Sequence, residues 1–106
     1  MLSTEDRKIV TEFKRRLAAV LPVLDVRVFG SRARGEVSPD SDLDVFIEVE
    51  NCTPDQRQLI NELAWEVGFE LDRVISPLVA TPDHLEHGPL GASPLMLQIE
   101  REGIAV

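Results

Sequence analysis

Apolar positions at the start of the chain recur at helical spacing. Ile9, Val10, Phe13, Leu17 and Val20 fall along one side of a helix, and Ser3 and Asp6 offer a capping-box-like start. A helix is therefore predicted from Ser3 to Val20, ended by Pro22. Arg7, Lys8, Lys14, Arg15 and Arg16 give it a basic face, read as a solvated surface. Alternation of apolar and polar residues then predicts a strand over Leu24 to Phe29, running into a Gly30-Ser31 turn. Ser31 to Gly35 reads as the start of a short helix, and Glu36 to Ser41, with Pro39, as a loop. Leu43 to Val49 alternates as a half-buried strand.

The second long helix is sharply punctuated. Thr53 suits an N-cap, Pro54 the first turn, and Gln56 completes a Thr-x-x-Gln capping box. Leu59, Ile60, Leu63, Ala64 and Val67 form its apolar face, Gly68 is its expected cap, and Trp65 reads as core or interface. Phe69 to Ala80 is predicted as a third strand in which Pro77 signals an edge, bulge or break. Thr81 to Ser93 reads as an exposed loop after a short turn. Ser93-Pro94 caps a last helix, Leu95 to Arg101, stopped by Gly103. The pattern predicts one domain over residues 1–106, α/β or α+β in class, with a small mixed β-sheet flanked by helices.

The bulk numbers narrow the function. At 106 residues, 43% apolar and 28% charged, the chain fits an ordinary globular domain. It has no apolar run long enough to span a membrane and no visible signal peptide, so a cytoplasmic location is expected. Cys52 is the single cysteine and reads as incidental. A net charge of −8 argues against nucleic-acid binding, which needs cations to neutralise phosphates. It suits a basic partner as readily as plain solubility.

The chemistry concentrates in Gly30-Ser31-Arg32-Ala33-Arg34-Gly35 and, with ten residues between it and Ser31, Asp42-Leu43-Asp44. Glycine allows close backbone approach to a phosphate, and the Ser31 hydroxyl can touch one. Asp42 and Asp44 share parity on an extended segment. Paired carboxylates resist joint ionisation unless a cation sits between them. Magnesium suits that set, since it takes one or two carboxylates plus substrate phosphates. Arg32 and Arg34 can clamp phosphate oxygens or face a partner. The residues thus read as a metal-dependent nucleoside triphosphate site.

These motifs, Phe29-Gly30-Ser31 followed by Asp42-Leu43-Asp44-Val45, resemble the nucleotidyltransferases of the DNA polymerase beta superfamily. The Arg32-Ala33-Arg34-Gly35 run is similar to that of their smallest members, the minimal nucleotidyltransferases (MNT). The specific likeness covers Phe29 to Val49. It implies a palm-like core, Mg2+ held by Asp42 and Asp44, and ATP bound through Gly30, Ser31, Arg32 and Arg34. It also implies a third, catalytic carboxylate on the strand after the intervening helix. Asp72 is the favoured candidate and Glu70 the alternative; neither has to serve.

The resemblance further implies transfer of AMP from ATP to a hydroxyl with release of pyrophosphate. Many minimal members are antitoxins that modify a HEPN-type ribonuclease toxin, which makes such a toxin the expected partner. Two alternatives stand beside this. One is a non-catalytic antitoxin or scaffold that inhibits by contact. The other is the catalytic subunit of an aminoglycoside-type small-molecule nucleotidyltransferase. His84 and His87, with Asp83 and Glu86 beside them, lack the further ligands of a transition-metal site and read as a solvated loop.

Overall fold

The computed structural model describes residues 2–35 and 42–106. The loop expected over Glu36 to Ser41 lies outside the described residues. The chain runs α1 (Thr4–Ala18), β1 (Val23–Phe29), β2 (Leu43–Val49), α2 (Pro54–Leu71), β3 (Ile75–Ala80), α3 (Pro82–His87), a 3-10 turn (Pro89–Ala92), α4 (Pro94–Glu102) and β4 (Ile104–Ala105). The strands form one sheet in the order β3-β2-β1-β4. β1 is antiparallel to β2 and β4, and β2 is parallel to β3 across α2. This is the expected mixed sheet flanked by helices.

Strand parity sorts the side chains into two apolar layers. Leu43, Val45, Ile47 and Val49 of β2 join Val26, Val28, Ile75 and Val79 against Ile9, Val10, Phe13 and Leu17 of α1 and Ile60, Ala64 and Val67 of α2. The other face sets Phe46 with Phe29, Ala80, Met96 and Ile99, the last two from α4. Full burial of such side chains stabilises the fold by about 1.5–3 kcal/mol each. Asp44 shares its face with Phe46, not with the larger core.

The helix starts are built as the sequence predicts. The Ser3 hydroxyl accepts from the Asp6 amide. Thr53 and Gln56 exchange both capping-box bonds, Thr53 Oγ1 accepting at 3.2 Å and Gln56 Oε1 at 2.9 Å. Ser93 caps α4 through the Met96 amide, and Gly103 ends it.

Four expectations are corrected. First, α2 continues to Leu71, so Phe69, Glu70 and Leu71 are helical, and β3 begins only at Ile75. Second, Asp72, not Gly68, takes the left-handed cap (φ 57°), and the Arg73 amide closes back onto the Gly68 carbonyl at 2.9 Å. That six-to-one bond marks a Schellman-type ending. Gly68 serves a different need: a Cβ there would lie 2.3 Å from the Arg73 carbonyl oxygen. Third, residues 31–35 form successive turns with no regular helix, and Thr81 to Ser93, expected as an exposed loop, carries α3 and the 3-10 turn. Fourth, of the two places expected for Trp65, the core is excluded by its 68% exposure, and the interface stands. The short closing strand β4, not foreseen, pairs with β1.

Candidate active site

The C-terminal end of β1 and the N-terminal end of β2 meet because the strands are antiparallel, with Phe29 paired to Asp44. Gly30 follows at φ 76°, a left-handed conformation that L side chains rarely adopt. A side chain there would also crowd Asp44: a Cβ at Gly30 would sit 2.5 Å from Asp44 Oδ2, and the carboxylate would have to move aside. The absent side chain is what lets the carboxylate lie against the turn. Burial, and then the negative charge of Asp42, raise the Asp44 pKa above its ordinary value. The two carboxylates therefore repel one another at a partly desolvated position, a condition that a cation relieves.

The turn itself is braced from behind. The Arg34 amide donates to the Gly30 carbonyl at 3.2 Å and the Gly35 amide to the Arg32 carbonyl at 3.2 Å. Arg32 is only 8% exposed, with its guanidinium 3.7 Å from the carboxylate of Asp6, itself 2% exposed. Arg73 reaches the same carboxylate at 3.9 Å and Glu5 at 3.3 Å. Asp6 on α1 thus ties the turn after β1 to the connection before β3. In this structure Arg32 packs inward against Asp6. Arg34 is at the surface, 3.4 Å from Glu102 at the end of α4.

The third carboxylate is not on β3. Its sequence is Ile-Ser-Pro-Leu-Val-Ala, with no acidic residue. The parallel register pairs Asp44 with Ser76, so Ser76 is the residue beside the acidic pair on the neighbouring strand. Neighbouring strands lie about 4.8 Å apart. Glu70, on the helix, pairs with Arg16 at 2.6 Å. Asp72 is exposed at the α2 cap and reaches the site from another direction.

That direction is an open groove of about 910 Å³ between the C-terminal half of α2 and β3. Asp42 lies in its wall together with Asp72, Trp65, Phe69, Val74 and Pro77. Asp44 touches the Gly30 turn while Asp42 lines this groove.

Among the described residues no group of three or more His, Cys, Asp or Glu side chains could hold a metal ion. Asp42 and Asp44 offer hard oxygen donors only, and such a pair leaves coordination positions for phosphate oxygens and water, as magnesium requires. The donor set fits. His84 and His87 are exposed on α3, with His87 3.7 Å from Glu86. Also among the described residues, no helix is long and apolar enough to cross a membrane.

Ser76 and the bracing roles of Asp6 and Arg73 escaped the sequence reading. Ser76 becomes visible only through strand register. For Asp6, a carboxylate inside an otherwise apolar helical repeat was the available signal.

Fold and site together define a nucleotide-transfer domain, and comparison with known proteins agrees. A family model for the nucleotidyltransferase domain matches residues 6–98. The chain belongs to that family and is a nucleotidyltransferase. It is 37% identical over 75 residues to a candidate protein adenylyltransferase, MJ0141, of Methanocaldococcus jannaschii, covering 68% of this chain and 76% of that protein. It resembles a solved minimal nucleotidyltransferase at 25% identity and TM-score 0.55, over 95% of this chain and 88% of the other. A toxin-antitoxin structure with AMP-PNP shares the fold at 18% identity and TM-score 0.64, over 97% of this chain and 72% of the other. So does a complex of a tri-AMPylated Shewanella oneidensis HEPN toxin with its MNT antitoxin, at 18% identity and TM-score 0.52, over 95% and 67%.

Proposed function

We propose that this chain is a magnesium-dependent protein adenylyltransferase, acting in the cytoplasm as the antitoxin to a HEPN-type toxin. In the transfer, an acceptor hydroxyl oxygen bonds to the α-phosphorus of ATP, the bond to the β-phosphate bridging oxygen breaks, and pyrophosphate leaves. The hydroxyl proton passes to solvent or to a basic group of the acceptor.

The observation that carries this reading is the approach of Asp44 to Gly30, with Asp42 beside it. Asp42 and Asp44 would hold the magnesium ion, which supplies charge neutralisation at the phosphate oxygens. Gly30 gives phosphate a surface without a side chain, and the Ser31 hydroxyl donates to it. Asp6 and Arg32 keep the turn in shape. Arg34, at the surface, is suited to a phosphate or partner contact. The likeness to MJ0141 and to complexes containing HEPN toxins supports the choice of acceptor.

The test is the intact mass of a HEPN-type partner after incubation with this chain, ATP and magnesium. Mass should rise by whole AMP units, and the gain should vanish with Asp42→Asn/Asp44→Asn. A partner that is inhibited without gaining mass would instead support a second reading, inhibition by contact alone. The absence of a carboxylate on β3 favours that second reading.

A further inference from the structure

Trp65 and Phe69 stack on one another one helical turn apart, ring centroids 5.3 Å apart and planes within 12°, yet they are 68% and 76% exposed. Val74, across the groove, is 63% exposed. Soluble domains seldom concentrate large apolar side chains in one open groove without something to cover them. Trp65, Phe69 and Val74 line the same groove that Asp42 enters, so whatever covers the aromatic pair ends against the acidic pair.

We infer that this groove is the acceptor-docking site, and that its occupant is a partner-protein segment carrying basic and apolar side chains around the acceptor hydroxyl. This rests on the adenylyltransferase reading above. Three features choose the occupant. The groove is continuous with the site through Asp42, and among the described residues its lining takes in Asp42 but neither Asp44 nor Gly30, so an acceptor held there ends beside the carboxylate pair. Among the described residues its charge is negative: Asp42 and Asp72 line it, and the cation there, Arg73, pairs with Glu5 and Asp6. A triphosphate is repelled from such walls, and a lysine- or arginine-bearing segment is drawn in. Finally, β3 is an edge strand and carries Pro77 within it. Proline at an edge discourages addition of another strand, so the occupant seats by its side chains on the aromatic ridge.

Trp65 is the only tryptophan and the chain has no tyrosine, so its emission reports this groove directly. The probe is the peptide acetyl-Lys-Leu-Tyr-Leu-Lys-amide, with the same peptide carrying glutamate for lysine as comparison. The lysine peptide should shift Trp65 emission to the blue in a saturable way, and the glutamate peptide should not. Phe69→Ala should weaken the titration at least about fivefold, the effect of removing one interface anchor. Leu97→Ala, an exposed position on α4, should leave it unchanged.

With labelled ATP and magnesium, the peptide tyrosine should acquire AMP, and Trp65→Ala/Phe69→Ala should raise the acceptor KM about tenfold rather than lower kcat. A saturable shift from the lysine peptide with no labelling by the unsubstituted chain would sink the transfer reading and leave the groove standing. Labelling undiminished in Trp65→Ala/Phe69→Ala would do the reverse. Equal shifts from both peptides, or none from either, overturn the proposal.

Discussion

The turn after β1 and the cap after α2 each bring a left-handed residue to the same end of the sheet, Gly30 at φ 76° and Asp72 at φ 57°. At Gly30 the space a side chain would fill is taken by the carboxylate of Asp44. At Asp72 the side chain stands in the open and the backbone merely ends a helix. The same conformation thus serves assembly of the site in one case and chain reversal in the other. What separates them is the identity of the neighbour, not the dihedral angle. The comparison can be broken by substitution on either side.

The largest effect should come from the acidic pair. Asp42→Asn or Asp44→Asn is expected to reduce AMP transfer at least about a thousandfold, near 4 kcal/mol of activation free energy. Thermal unfolding of the variants should show the fold intact. Transfer that survives both substitutions would remove the carboxylates from the mechanism.

Next in size is the brace behind the turn. Asp6 is buried between Arg32 and Arg73, and removing one member of a buried ionic cluster leaves its partners uncompensated. Asp6→Ala should cost about 3 kcal/mol in denaturant unfolding. A loss below about 1 kcal/mol would show that the cluster is hydrated and does not hold the turn.

Gly30→Ala should cost about 1–2 kcal/mol for the left-handed conformation alone. It should also displace Asp44, so transfer falls further than stability accounts for. Asp72→Gly is the counterpart. It relieves a non-glycine residue of a left-handed angle and should stabilise by up to about 1 kcal/mol, while changing kcat for AMP transfer at saturating acceptor less than about threefold. A collapse of that rate would restore Asp72 to the metal site, despite its position off the strand.

This contrast also explains what could be read in advance. The elements carrying Gly30, Ser31, Asp42 and Asp44 were legible because turn chemistry and strand alternation are local, and both motifs flank strands that alternate. The capping box at Thr53 was legible for the same reason. The end of α2 was not. Gly68 is the residue type that ends helices, but here it makes room for the Arg73 carbonyl, and the true cap is an aspartate. Once the helix is extended to Leu71, Asp72 leaves the strand and Glu70 turns to Arg16. The register that sets Ser76 beside Asp44 depends on pairing two strands separated by α2, which no local pattern encodes. Nor does a local pattern encode the burial of Arg32, which depends on Asp6, far away in sequence.

The smallest expected effect is on the pH dependence of stability, and it probes the pair most directly. The Asp44 carboxyl has a folded-state pKa raised by burial and by Asp42. The folded protein therefore holds this proton more tightly than the unfolded chain does. As pH rises from the ordinary carboxylate range through the raised value, the unfolded state ionises first, and stability is lost across that window. Above it the penalty is constant. Asp44→Asn cannot ionise, so its melting temperature should fall less over the same interval than that of the unsubstituted chain. Magnesium acts in the opposite sense: by binding the ionised pair it should raise the melting temperature at neutral pH, and chelation should reverse the gain. Asp42→Asn/Asp44→Asn should show neither response. If magnesium stabilises that variant as much as the unsubstituted chain, the cation binds elsewhere, and the repulsion between Asp42 and Asp44 is relieved by solvent alone.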